Sequence, residues 1–441
     1  MTIKYQANQI TGGPMISRRD LIKGASAGLV LAALGTPYIA KAKPKANLKF
    51  SMWGDTGSTP AYKHVVEKYQ AANPGVQVDI QVIPYGQYYQ QLDTSITGGQ
   101  PADLMRFEYQ TVGRYAQSAV LLNLSEHLDK DIADDYLPAF WQPVHSAKGL
   151  FAIPQNTDTF GIFYNKSIFQ AAGIVPPTDI AKSWTWAEFT DVAQKILRLK
   201  KTPFAFAMDW GLGSAYRSLV FFYQHNAHLL SPDQKSTLMD SKEAIETIAW
   251  LQSWFQKGMV PPNTSVKSQE QPNILFANNT LAMYVGGDWE MADLVQNIGD
   301  RFEWGTTFMP RDVNLASDLG GSCVGVSKSS QYADEAVDFL KFLTSPDVQK
   351  VFLAESQFLP VRKSIANAIV YKDRPEDRKV FIEQAATVPP ELSRNYALPY
   401  FAKLNTVLND QFDLAFTANQ DPSLTGQNIV SGISGILKAY A

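Results

Sequence analysis

The sequence predicts an α/β chain built as two lobes, and three observations carry that reading. The chain has 441 residues, more than one hydrophobic core usually spans at roughly 100–200 residues per domain. Period-two apolar runs alternate with stretches of helical spacing, the pattern of a mixed, mostly parallel sheet flanked by helices. Two segments, around 151–166 and 320–322, join apolar runs across a polar or glycine-rich break, as a chain does when it leaves one lobe for another.

Leu48, Phe50 and Met52 alternate with Lys49 and Ser51 in a strand that ends at Trp53. The loop 54–58 then leads to Thr59-Pro60, a cap followed by proline in the first helical turn. Tyr62, Val65, Val66 and Tyr69 continue at helical spacing until Asn73-Pro74-Gly75 stops them. Val76, Val78, Ile80 and Val82 give the next strand; Tyr88, Tyr89, Leu92 and Ile96 give the next helix, closed by Gly98-Gly99. Residues 102–107 read as a short strand and 111–118 as a helix. Ligands of open sheets sit at the carboxyl ends of the strands. The loops 53–58, 84–87 and 107–110 therefore converge on one place.

The polar patch 155–159 separates two apolar runs and reads as a strand crossing a cleft; a single lobe with a long hairpin is the alternative. Beyond it Thr185 caps a helix reaching about Leu199, residues 204–208 form a strand, and helices run near 213–225 and 241–257. Residues 282–285 are another strand, followed by Gly286-Gly287-Asp288-Trp289. Gly320-Gly321-Ser322 offers a second crossing before the strand 323–326. A helix follows with Ala333, Ala336, Val337, Leu340 and Leu343 on one face, and beyond Leu359-Pro360-Val361-Arg362 the chain reads as helical.

Ahead of the first strand stands Ser17-Arg18-Arg19-Asp20-Leu21, then an apolar run of about ten residues, then Ala40-Lys41-Ala42. That order describes a twin-arginine export signal over residues 1–42, and the run is far short of the ~20 residues a membrane-spanning helix needs. Such proteins cross the membrane folded, which permits a cofactor but does not require one; none is expected. Without residues 1–42 the chain holds 34 basic against 41 acidic side chains. Nucleic acid and anionic membranes, which need concentrated Lys and Arg, are disfavoured partners. Cys323 is the one cysteine, so no internal disulfide can form, and no cysteine at the cleavage site offers a lipid anchor. The expectation is a free, monomeric periplasmic protein.

The ordered series Trp53-Gly54-Asp55, Pro101-Ala102-Asp103-Leu104, Tyr115-Ala116-Gln117-Ser118, Ile153-Pro154 with Tyr164-Asn165-Lys166, Trp184 to Phe189, Phe276 to Trp289, Gly320-Gly321, 336–345 with Gln349, and Leu359-Pro360-Val361 resembles the family 1 extracellular solute-binding proteins of ABC importers, the group containing the maltodextrin-binding protein. The resemblance implies the two-lobed type II periplasmic binding protein fold, with crossing strands as the hinge and a helical C-terminal segment. It places residues 47–156 and 322–360 in one lobe and 157–321 with 361–441 in the other. It further implies hinge closure over a carbohydrate and delivery to membrane permease subunits.

A sugar needs flat aromatic surfaces for its C–H faces and planar polar groups for its hydroxyl rim. Trp53 and Asp55, with Thr56 beside them, fit at the first strand end and match the family's loop; the alternative for the pair is a core tryptophan and a helix-capping aspartate. Asp158 aligns with an acidic sugar-contacting position of the maltodextrin-binding protein, and Asn156 precedes it on the same face. Trp289, with Gly287 letting backbone approach a ligand, matches the family's stacking tryptophan of the second lobe. Tyr85, Gln87, Glu108, Trp210 and Ser322 are further candidates, each with a surface or packing alternative. Arg362 could hold an anion bidentately or bridge the lobes. Phe107 and Gln110-Thr111 depart from the maltodextrin-binding pattern, which disfavours a long maltodextrin and leaves a shorter, or acidic, saccharide open.

Catalytic and metal signals are weak. Gly321-Ser322-Cys323-Val324-Gly325 lacks the strand-to-helix turn of a nucleophile elbow. His225 and His228 lie three apart on an expected helix without further ligands in sequence. Two rival functions follow: a glycan hydrolase or lyase using paired carboxylates such as Asp55 with Asp158 or Glu108, and a sensory binding protein that docks on a chemoreceptor.

Overall fold

The computed structural model describes residues 45–146 and 148–440; the expected export signal lies outside the described residues. Among the described residues there are eleven strands: β1 (Ala46–Trp53), β2 (Val76–Ile83), β3 (Leu104–Glu108), β4 (His145–Ser146), β5 (Gly149–Leu150), β6 (Ile153–Asn156), β7 (Phe160–Asn165), β8 (Phe204–Met208), β9 (Leu281–Gly287), β10 (Trp304–Thr307) and β11 (Ser322–Val326). They form a five-stranded sheet in the order β2-β1-β3-β11-β6 and a four-stranded sheet in the order β10-β7-β9-β8, with β4 and β5 as a separate pair.

Burial explains the first strand. Ala46, Leu48, Phe50 and Met52 are fully buried while the residues between them turn outward or pack at the margin, each large side chain contributing about 1.5–3 kcal/mol of hydrophobic burial. Helices α1 (Ser58–Ala72), α2 (Tyr85–Thr97) and α3 (Tyr109–Gln117) follow β1, β2 and β3 in turn. The start of α1 differs from the sequence expectation. The helix begins at Ser58, and Asp55 accepts from the Gly57 and Ser58 amides at 3.0 and 2.6 Å, so it satisfies the exposed donors that Thr59 was expected to cap.

In the second lobe the cap read at Thr185 is present, and a further one stands at Ser241. Thr185 and Glu188 form a reciprocal capping box on the helix Trp186–Leu199, and Ser241 caps Lys242–Gln256.

The parallel pairs are β1 with β2 and β3, and β8 with β9. β11 is antiparallel to β3 and β6, and β7 to β9 and β10. A strand that enters its sheet from the crossing starts where its neighbours end, so its direction is opposite to theirs.

Three segments connect the sheets. Residues 157–159 run from the end of β6 to the start of β7, and Gly320-Gly321 lead into β11. Gly321 has φ of 102°, and a Cβ there would sit 2.3 Å from the Asn156 carbonyl oxygen, so only glycine fits. The third is Leu359, which exchanges backbone hydrogen bonds with Thr157 at 3.0 and 3.2 Å.

The C-terminal stretch is helical as expected, but its packing is shared. Pro375–Ala385 lies on β7 and β10, whereas Pro390–Tyr396 packs on α3 and the segment 138–144, with Ser393 donating to the Ala139 carbonyl at 2.7 Å. The helix Phe401–Thr417 touches both α3 and the helix Lys242–Gln256. Among the described residues no helix is long and apolar enough to cross a membrane.

Candidate ligand-binding site

A cavity of about 460 Å³ lies where β1, β3 and the crossing segments meet the ends of β8 and β9. The strand-end loops predicted to converge do so: Trp53, Gly54, Asp55, Tyr85, Gly86, Glu108 and Gln110 supply one wall. The opposite wall carries Asp209, Tyr216, Arg217, Trp289, Glu290 and Asp318, with Asp158 at the crossing between the walls.

Trp53 is half-buried and held on its faces and edges. The Arg106 guanidinium lies 4.1 Å from its ring centre, and the rings of Tyr85 and Tyr88 meet it edge-on at 5.9 and 5.2 Å. Asp55 fills both roles weighed for it, since it caps α1 and also lines the cavity. Glu108 accepts from the Tyr85 hydroxyl at 3.1 Å on its own side and from the Tyr216 hydroxyl at 3.4 Å on the other. The two walls therefore touch through one carboxylate.

Trp289 stands in the mouth of the second wall. Its indole N–H donates to Glu290 at 3.0 Å, and the Arg217 guanidinium lies 5.1 Å from its ring. Gly287 does not line the cavity: a Cβ on it would meet the Trp289 ring at 1.7 Å, so the glycine makes room for the indole. Arg217 is paired with Asp209 at 2.8 Å.

The carboxylates at the crossing are crowded. Burial, then the charges of Asp288 and Asp318, push the Asp158 carboxyl well above the usual range. Burial likewise raises Asp318 to about 6 and Asp288 to about 7, and burial with the charge of Asp209 raises Glu290 to about 8. Asp288 accepts from the Thr159 amide at 2.8 Å while its second oxygen has no partner.

Other expected positions fall outside the cavity. Trp210 is core: its indole donates to the Thr264 carbonyl at 2.6 Å and its ring stacks against Trp254 and Phe416. The flat surface that suggested a sugar platform serves packing there. Arg362 is buried over the Tyr136 ring and paired with Asp135 at 2.7 Å, an ion pair that satisfies the charge without a ligand. Asn156 and Ser322 are fully buried and bonded to each other at 2.7 Å, with Ser322 accepting from Arg106 at 3.0 Å; they fasten β6, β11 and β3 at the crossing. Thr56 is exposed on the loop rim, and Gln87 turns outward along α2 toward Gln91.

Arg106, Asp209, Tyr216, Arg217, Glu290, Asp318 and Phe358 line the cavity without having been singled out. Two carried a readable signal. Asp209 directly follows a strand end, and Arg106 is a charge inside the apolar run Leu104 to Phe107. Arg217 carried none, because its helix reads as packing.

The catalytic and metal alternatives take structural form elsewhere. Cys323 is buried in β11. His225 ends its helix and pairs with Asp312 and Glu246, while His228 lies beyond it and pairs with Glu391. Among the described residues no group of three or more His, Cys, Asp or Glu side chains could hold a metal ion.

Comparison with known proteins places this architecture. The chain is 23% identical to the sn-glycerol-3-phosphate-binding periplasmic protein UgpB of Salmonella typhimurium, over 92% of this chain and 96% of the relative. It is 22% identical to the galactooligosaccharide-binding protein of Bacillus subtilis, over 94% and 96%. Its fold superposes on a solute-binding protein of an ABC transporter from Thermotoga lettingae bound to α-D-tagatose, with TM-score 0.78 and 20% identity, covering 89% of this chain and all of the other. With residues 53–350 matching the family model described as bacterial extracellular solute-binding protein, the chain belongs to that family.

Proposed function

We propose that this protein is the periplasmic substrate-binding component of an ABC importer, that it captures a mono- or short oligosaccharide between its lobes, and that it delivers the sugar unchanged to membrane permease subunits. The observation that carries the reading is the cavity itself. An indole from each wall, Trp53 and Trp289, frames a ring of carboxylates, phenols and guanidiniums, the combination that C–H faces and hydroxyl rims require.

The family relationship supports the transport role, and relatives named for galactooligosaccharide binding or solved with tagatose support the solute class. A volume of about 460 Å³ accommodates one or a few sugar rings. Export through the twin-arginine route, from residues 1–42, belongs to the same proposal. Ligand contact with both walls is available only when the lobes are together, so binding favours the closed form.

Thermal-shift screening of the purified protein against neutral, amino, uronic and phosphorylated sugars tests this. A true ligand at about 100 times its Kd adds about 2.7 kcal/mol of stability and returns chemically intact after incubation. Release of a cleaved product from any glycan contradicts the transport reading.

A further inference from the structure

The cavity is lined by eight carboxylates and two guanidiniums, with no lysine or histidine. Both guanidiniums are engaged: Arg217 with Asp209, and Arg106 with the Trp53 carbonyl, the Ser322 hydroxyl and the Trp53 ring. Most of the carboxylates also have donors, such as the amides on Asp55, the phenols on Glu108 and the indole on Glu290.

Asp158 is different. Among the described residues no donor reaches its carboxylate, which lies in the space left by Gly320, where a Cβ would stand 1.6 Å from Oδ1. Beside it Asp318 is 3% exposed and has the Tyr396 hydroxyl at 3.2 Å as its neutral donor. The Arg217 charge acts on both carboxylates but is already paired with Asp209, so the acceptor capacity of Asp158 in particular is left unanswered.

Building on the carbohydrate reading, we propose that the ligand is an amino sugar or amine-bearing polyol whose ammonium group docks between Asp158 and Asp318. An ammonium brings three donors and one positive charge, so it converts repelling carboxylates into charge-assisted hydrogen bonds, which a sugar hydroxyl cannot do. The same surplus of negative charge, eight carboxylates against two guanidiniums that each already have partners, disfavours uronic and phosphorylated sugars. An acidic saccharide, left open by the sequence, is thereby disfavoured.

Titration calorimetry with matched ligands decides the matter: glucosamine, galactosamine and a glucosamine disaccharide, each against its hydroxyl, N-acetyl and uronate counterpart. The amine form is expected to bind at least about tenfold more tightly than the hydroxyl and N-acetyl forms, with no measurable uronate binding. Asp158→Asn, and separately Asp318→Asn, should erase most of that preference while circular dichroism stays unchanged. The N-acetyl arm removes the charge from the ligand and so tests the proposal even if a variant fails to fold. Neutral forms binding as well as the amines overturn this inference and leave the carbohydrate reading intact. Phosphorylated or uronic forms binding best also overturn it. Failure of every class at every length overturns both.

Discussion

The two walls of the cavity are finished to different degrees. On the first, Trp53 is clamped by Arg106, Tyr85 and Tyr88, and Asp55 is engaged in capping α1, so each functional side chain is held by neighbours of its own lobe. On the second, Trp289 stands half-buried in a glycine-cleared space, and Asp318 shares the cavity lining with Asp158, whose carboxylate has no donor among the described residues. The first wall is a preorganised platform, and the second becomes electrostatically complete only when something binds. Preorganisation on one side limits the ordering that binding must impose, while the incomplete side supplies the discrimination.

The comparison can be broken at the hinge, at the platforms and by titration. The largest effect is expected from Gly321→Ala, where a positive φ and an approach of 2.3 Å to the Asn156 carbonyl oxygen leave no room for a methyl group. Denaturant unfolding should show a loss on the order of 3 kcal/mol; a change within about 0.5 kcal/mol would mean that the crossing relaxes freely.

The paired substitutions Trp53→Ala and Trp289→Ala should separate the walls. Trp53→Ala removes the ring on which Arg106, Tyr85 and Tyr88 lean, so stability should fall by about 3 kcal/mol. Trp289→Ala should cost less stability but weaken ligand binding roughly tenfold by calorimetry, through loss of the stacking face. Equal stability losses with equal affinity losses would remove the distinction between a structural platform and a recognition platform.

The smallest effect is a pH dependence. Asp318 and Asp288 rise to about 6 and about 7 because burial disfavours their charged forms. The folded chain therefore binds more protons there than the unfolded chain, whose carboxyls titrate near ~3.9. Stability from these protons is fully present below that value and lost as pH rises through about 6 and 7. The unliganded protein should melt roughly 2–4 °C lower at about pH 8 than at about pH 5, and Asp318→Asn should flatten part of that slope. A rising profile over the same window would show that these groups are not protonated in the folded state.

Much of the architecture was legible beforehand because it rests on local pattern. The alternation around Phe50, the capping box at Thr185 and the glycine pair at Gly320-Gly321 each state their element through a few adjacent residues. The site was half legible. Trp53, Asp55, Tyr85, Glu108, Asp158 and Trp289 line the cavity because strand ends meet there, a consequence of sheet topology. Trp210 and Arg362 had the same chemical credentials, yet a Thr264 carbonyl and an Asp135 carboxylate absorb their polar atoms inside the core. Side-chain chemistry announces what a residue could do; its partners decide whether the group is still available.

By itself the sequence determined the two-lobed α/β plan, the crossings and the aromatic and acidic character of the strand-end loops, since periodicity, caps and glycines act over a few residues. Only the tertiary structure decided the charge balance of the cavity. Arg217 pairs with Asp209, and Asp158 and Asp318, far apart in sequence, line the same cavity; whether a buried charge is answered or left open depends on which groups the fold brings within reach.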